Sequence, residues 1–198
     1  MNKSYTTVAA AAVALVLGGC GDSATTNAPS SSAATTTRPS IAVSVPPVPS
    51  QYNQGRQRVE FDPCVAIDDE TVLQTGFDPA TRERNDFISD GYSFIGCKFD
   101  HKEDVRGQKL AVRSMAIWST NITLDEFRGR EGGGASEIKV GNRVAITYRK
   151  SDTCYVAMQS PDGVLNLRTS TNAAFTAERP CDRISEVAEI IESVLGDR

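Results

Sequence analysis

Apolar residues are distributed along the chain in three different ways. Residues 8–17 (VAAAAVALVL) form one unbroken apolar run of ten. A helix of that length rises about 15 Å, half of a hydrocarbon core, so the run is too short to span a bilayer. Beyond residue 60 the pattern changes to alternation. Ile95, Cys97 and Phe99 share one face of a strand predicted over residues 92–99, and that parity points Cys97 into the core. Residues 110–118 (LAVRSMAIW) are apolar on both faces except at Arg113 and Ser114, as expected of a central strand. Val144, Ile146 and Tyr148 alternate with Ala145, Thr147 and Arg149. After a turn at residues 150–152 the set Cys154, Val156 and Met158 alternates again, which predicts an antiparallel hairpin. Ser160-Pro161-Asp162-Gly163 is a turn signal leading into a strand over residues 164–169. The third pattern is helical: Ile184, Val187, Ala188, Ile191, Val194 and Leu195 form one apolar stripe.

Capping signals place the remaining elements. Asp62 before Pro63 sets an N-cap and a first helical proline, opening a short helix that carries Cys64. Asp68 can start a second turn, with Gly76 as its stop. Thr123-Leu124-Asp125-Glu126 has capping-box spacing and predicts a helix ending near Gly129, ahead of a Gly132-Gly133-Gly134 loop. The sum predicts an α+β fold: a mainly antiparallel sheet of about five strands, with the N- and C-terminal helices packed on one face and two disulfides.

Composition then divides the chain. Residues 22–50 comprise 29 positions, of which 12 are Ser or Thr, 5 are Pro and 5 are Ala. Such a stretch buries too little apolar surface to offset the entropy of ordering it, and reads as a solvated spacer whose Ser/Thr clusters can be bare or glycosylated. The predicted organisation is a signal peptide at 1–19, a lipidated cysteine and disordered linker at 20–59, and a globular domain at 60–198. Formal net charge is −4 for the whole chain. An acidic balance argues against a nucleic-acid partner held by a basic surface.

The apolar run ends at Leu17-Gly18-Gly19-Cys20. Small residues before a cysteine, with a leucine one step earlier, resemble the bacterial lipobox, in which the thiol accepts a diacylglycerol before the signal is cleaved. The alternative is an ordinary secretory signal that happens to contain a cysteine. On the first reading Cys20 carries two or three acyl chains, enough for stable anchoring because each buried methylene contributes about 0.8 kcal/mol. The partner this implies is membrane lipid, and the location is the outer face of the cell membrane.

Four further cysteines, Cys64, Cys97, Cys154 and Cys181, imply two disulfides in an exported domain, with three pairings open. Cys64–Cys97 and Cys154–Cys181 are favoured because each ties a helix to a nearby strand. These spacings match no structural zinc pattern and His101 is the sole histidine, so neither a metal nor a cofactor is expected. His101 reads as an exposed turn residue rather than a catalytic base. Asp68-Asp69-Glu70 reads as first-turn acids favoured by the helix dipole rather than a carboxylate or calcium cluster. The triglycine lacks the lysine of a phosphate loop, and on the lipobox reading, which implies a bacterium, the glycosylation sequon Asn121-Ile122-Thr123 is expected to be accidental. No catalytic residue is assigned. Trp118 and Tyr92 are the aromatics placed to line a groove on a sheet face not covered by helices, or else they belong to the core.

The lipobox, the Thr/Ser/Ala/Pro spacer, Asp62-Pro63-Cys64, Gly96-Cys97-Lys98-Phe99, Cys154-Tyr155-Val156 and Cys181 ahead of the last helix together carry a resemblance. They are similar to a family of actinobacterial cell-envelope lipoproteins filed as a domain of unknown function, which includes proteins like the mycobacterial LprB and LprC. The resemblance implies an extracytoplasmic lipoprotein and brings no activity with it. The expected role is a non-catalytic binding or accessory module for an envelope lipid, glycan or protein. The alternatives are a structural or protein-interaction lipoprotein, or a hydrolase working through two carboxylates.

Overall fold

The computed structural model describes residues 40–196; the expected signal peptide and Cys20 lie outside them. The centre of the molecule is one antiparallel sheet of eight strands. They are β1 (Asp78–Arg84), β2 (Phe87–Ile88), β3 (Ser93–Val105), β4 (Gln108–Thr120), β5 (Ser136–Val140), β6 (Arg143–Lys150), β7 (Thr153–Ser160) and β8 (Gly163–Thr171). The order across the sheet is β1-β3-β4-β8-β7-β6-β5, with β2 also pairing with β3. Helices are few and short: α1 (Pro63–Ala66), α2 (Asp69–Gln74), α3 (Leu124–Glu131) and α4 (Ile184–Leu195).

This corrects the expected α+β fold of about five strands with N- and C-terminal helices packed on one face: the sheet has eight strands and the helices are few and short. Three strands carry too weak a sequence signal to be predicted. Each is polar or short: β1 reads DPATRER without apolar alternation, β2 has two residues, and in β5 (SEIKV) only Ile138 and Val140 alternate, over five residues. Edge strands are held by backbone ladders and need no hydrophobic stripe. The helices divide between the two faces: α1, α2 and α4 pack on one side, and α3, for which no face was expected, on the other. His101 lies inside β3 and not in a turn, because β3 and β4 continue as a hairpin beyond Arg113, the first residue of β4 that pairs with β8.

The registers show how the core is assembled. Cys97 pairs with Ile117, Ile117 with Leu167, and Leu167 with Val156, so one cross-strand row of apolar side chains crosses four strands. Together with Phe99, Met115 and Met158 it meets Ile67, Val72, Ile184, Val187 and Ile191 from the helices in one buried cluster. Both disulfides lie on this side. Cys64–Cys97 joins α1 to β3 with Cα atoms 5.0 Å apart, and Cys154–Cys181 joins β7 to the turn before α4 at 5.2 Å. Arg82 is buried in the same layer: it donates to the Cys64 and Ile67 carbonyls at 3.0 and 2.9 Å and pairs with Asp69 at 2.6 Å. It thereby satisfies backbone acceptors left over where α1 ends.

Residues 40–59 run along the domain. The Ala42 amide donates to Asp69 Oδ2 at 2.8 Å and Arg84 Nε donates to the Pro46 carbonyl at 3.0 Å. Asn121 of the sequon is buried; its amide accepts from the Ser93 N–H at 3.1 Å and donates to the Gln57 carbonyl at 2.7 Å. Among the described residues no helix is long and apolar enough to cross a membrane.

Candidate functional site

The face of the sheet opposite the main core carries the other parity of every strand. One row runs Gly96, Trp118, Asn166; the next runs Lys98, Ala116, Arg168, Tyr155, Tyr148. In the first row Gly96 is decisive. A Cβ there would stand 2.2 Å from Trp118 Cδ1 and 2.5 Å from the Asn85 carbonyl oxygen. Because glycine has none, the indole lies across β3 and its Nε1 donates to the Asn85 carbonyl at 2.7 Å. The same strand pins the neighbouring segment, since the Asn85 N–H donates to the Gly96 carbonyl at 3.0 Å and the Gly96 N–H donates to Asp86 Oδ1 at 2.8 Å.

The opposite wall is α3. Thr123 and Glu126 form the expected capping box, although the helix continues past Gly129 to Glu131. Phe127 is buried edge-on against Phe94, with ring centroids 6.2 Å apart, within a second apolar cluster that includes Ile122, Ile146 and Tyr148. This anchor sets Arg130 and Glu131 at the rim. Glu131 accepts from Lys150 Nζ at 2.8 Å, and that ammonium stands 5.5 Å from the centre of the Tyr148 ring. Tyr148 and Tyr155 stack at 4.8 Å with their planes 3° apart. The Tyr148 hydroxyl donates to Asn166 Oδ1 at 3.3 Å, and burial pushes its pKa well up, so it remains a protonated donor.

Between these walls lies an open groove of about 570 Å³, floored by Trp118, Tyr155, Tyr148 and Asn166 and bordered by Phe87 and Lys150. That volume lies within the roughly 300–1,000 Å³ of small-molecule sites, and the lining has their chemistry: aromatic surface with a few fixed polar groups. Aromatic faces offer stacking to a ring or chain, while the Asn166 amide and the Lys150 ammonium offer directional hydrogen bonds.

The charges at the groove are unequally engaged. Asp86 also faces Arg84 at 3.5 Å; burial raises its carboxyl pKa, opposed by the Gly96 N–H and Arg84. Glu131 is taken up by Lys150. Arg168 differs. Its guanidinium lies 5.3 Å from the centre of the Trp118 ring, its Nε is buried without a hydrogen-bond partner, and it forms no ion pair among the described residues. A buried donor left unmade costs about 1–3 kcal/mol.

The residues singled out from sequence fall in different places. Trp118 is half-buried and lines the groove. Tyr92 stands beside it in an aromatic cluster, 5.8 Å from Phe94, with Arg130 over its ring at 4.8 Å. His101 stands on the β3–β4 hairpin, 3.4 Å from Glu103. Asp68 caps α2, and Asp69 pairs with Arg82. Among the described residues no cluster of three or more His, Cys, Asp or Glu side chains could hold a metal ion. Tyr148, Tyr155, Asn166 and Arg168 were missed. Their signal was the non-core parity of β6, β7 and β8, read there only as strand alternation.

No curated protein and no solved structure matches the chain. A family model described as "Protein of unknown function (DUF3558)" matches residues 15–193, and the chain belongs to that family.

Proposed function

We propose that this chain is a lipid-anchored, extracytoplasmic module of the cell envelope that binds an envelope lipid or glycan without catalysing a reaction. The observation that carries the binding role is the aromatic groove of about 570 Å³ on the sheet face away from the disulfides. Three features support the placement. The paired cysteines fit an oxidising compartment. The family match starts at residue 15, ahead of Leu17-Gly18-Gly19-Cys20, so the lipobox lies within the matched stretch. The motifs named above resemble those of actinobacterial envelope lipoproteins such as LprB and LprC. In this reading residues 1–19 are cleaved, Cys20 is acylated, and the Ser/Thr/Pro-rich stretch up to residue 40 spaces the domain at 60–198 from the membrane.

The test is to purify the full chain from its native membrane and identify what travels with it by native mass spectrometry. A reproducible lipid or glycan, lost on substituting Tyr155→Ala, is the expected result. Labelled palmitate should be incorporated by the wild type and not by Cys20→Ala. A chain without labelled acyl group, or an empty groove in every preparation, would refute the anchor and the binding role respectively.

A further inference from the structure

We infer that the groove selects an anionic amphiphile, a molecule joining an apolar or ring-shaped body to a phosphate or carboxylate, with Arg168 as the residue that receives the anion. The inference rests on the binding role proposed above and names the class of ligand.

It starts from a difference between arginines. Every described arginine that is shielded from solvent has a carboxylate partner except Arg168: Arg82 has Asp69, Arg84 has Asp62, Arg113 has Glu178, Arg128 has Glu137, Arg143 has Glu192 and Arg183 has Glu186. The domain over residues 60–198 holds 24 acidic against 17 basic residues, so carboxylates are plentiful. In such a domain a shielded guanidinium without one is a departure from the rule the molecule otherwise follows. Arg82 shows what a structural buried arginine looks like here: its Nε is unpartnered like that of Arg168, but its terminal nitrogens reach two carbonyls and an acid. Arg168 has none of these.

Position supplies the second step. Arg168 is the cross-strand partner of Tyr155, follows Asn166 by two residues on the same face, and lies over Trp118. All three of those residues line the groove, and Arg168, which is not itself a lining residue, adjoins it through them. The Trp118 face holds the guanidinium by its quadrupole while leaving the planar fork of donors unspent, and that fork matches the paired oxygens of phosphate or carboxylate. Arg130 on the rim also has no carboxylate partner among the described residues and rests on Tyr92. The local excess is therefore positive inside an acidic domain, while the floor is aromatic. An uncharged glycan would leave the Arg168 fork unsatisfied, and an inorganic anion would leave the floor uncovered.

Trp118 is the only tryptophan, so its emission reports the groove directly. The full lipidated chain, held in phosphatidylcholine nanodiscs, is titrated with three soluble probes: hexyl phosphate, hexyl glucoside and inorganic phosphate. Saturable change is expected with hexyl phosphate at concentrations where the other two give little, and higher ionic strength should weaken it. Arg168→Gln should weaken hexyl phosphate by about tenfold or more, the equivalent of ~1.4 kcal/mol for one charge-assisted contact. Arg168→Lys should recover part of the loss. Lys98→Gln, in the same cross-strand row but paired with Glu83 outside the groove, should bind as wild type. Displacement of hexyl phosphate by phosphatidylglycerol in the disc would assign the anion to a membrane lipid; its persistence would assign it to a soluble molecule. Equal affinity for hexyl phosphate and hexyl glucoside, or an unchanged affinity in a folded Arg168→Gln, overturns the choice of ligand and leaves the groove as a binding site. No response of Trp118 to any probe overturns both.

Discussion

Gly96 and Trp118 are 22 positions apart in the sequence and face each other in the sheet, and their contact shapes the groove. The indole occupies the space a side chain at 96 would fill. Gly96→Ala must therefore displace either the Trp118 ring or the Asn85 carbonyl. Overpacking of this kind costs about 1–3 kcal/mol. The thermal midpoint should fall, and Trp118 emission should shift to the red as the ring moves toward water. An unchanged midpoint with unchanged emission would mean that the ring is held by something other than this contact. Sequence reading could single out Trp118 as an amphipathic aromatic, but the importance of Gly96 depends on a pairing between distant positions.

At the level of elements, α3 shows how local signals and long-range contacts combine. Its capping box is visible in Thr123-Leu124-Asp125-Glu126, and both halves form: Glu126 Oε2 accepts from the Thr123 N–H at 2.9 Å, and the Glu126 N–H donates to Thr123 Oγ1 at 3.3 Å. What the motif cannot reveal is Arg56, 70 residues away, whose fork donates to the same carboxylate at 2.6 and 2.9 Å. The Arg56 hydrogen bond, with the Thr123 backbone N–H second, lowers the Glu126 pKa to about 2 from an ordinary 4.5. An acid whose folded pKa is depressed stabilises the fold above its unfolded pKa and loses that contribution as pH falls toward the folded value. Glu126→Gln should therefore flatten the decline in stability between about pH 4.5 and pH 2, measured by urea unfolding. At neutral pH it should cost about 1 kcal/mol, a modest sum because the side chain is one-third exposed and the pair is screened. A decline as steep as that of the wild type would refute this role. Elements with apolar periodicity or caps were legible in this way. β1, β2 and β5 were not, because their place is set by backbone pairing to neighbours.

Across the whole molecule, the two faces of the sheet divide the work. The face joined to α1, α2 and α4 holds the main core and both disulfides, while the opposite face holds the groove and α3. Each bridge closes a loop of about 30 residues, for which chain-entropy reasoning expects about 3–4 kcal/mol. Replacing Cys64 and Cys97 together by Ser should lower unfolding stability by that order. Because the bridge lies on the far side of the sheet, Trp118 emission from the folded fraction should stay as in the wild type. A changed folded-state spectrum would show that the bridge also shapes the groove.

From the chain alone one could read which residues alternate into a core, where helices are capped, and which cysteines lie close enough along the sequence to tie neighbouring elements. These features are local, carried by periodicity and by side chains reaching a few residues. The number and order of the strands and the assembly of the groove from β2, β3, β4, β6, β7, β8 and α3 arose only in the folded molecule. So did the placement of Arg168 over Trp118 with its Nε buried and no ion pair among the described residues. Register brings together residues that share no local pattern, and whether a charge is paired depends on everything packed around it.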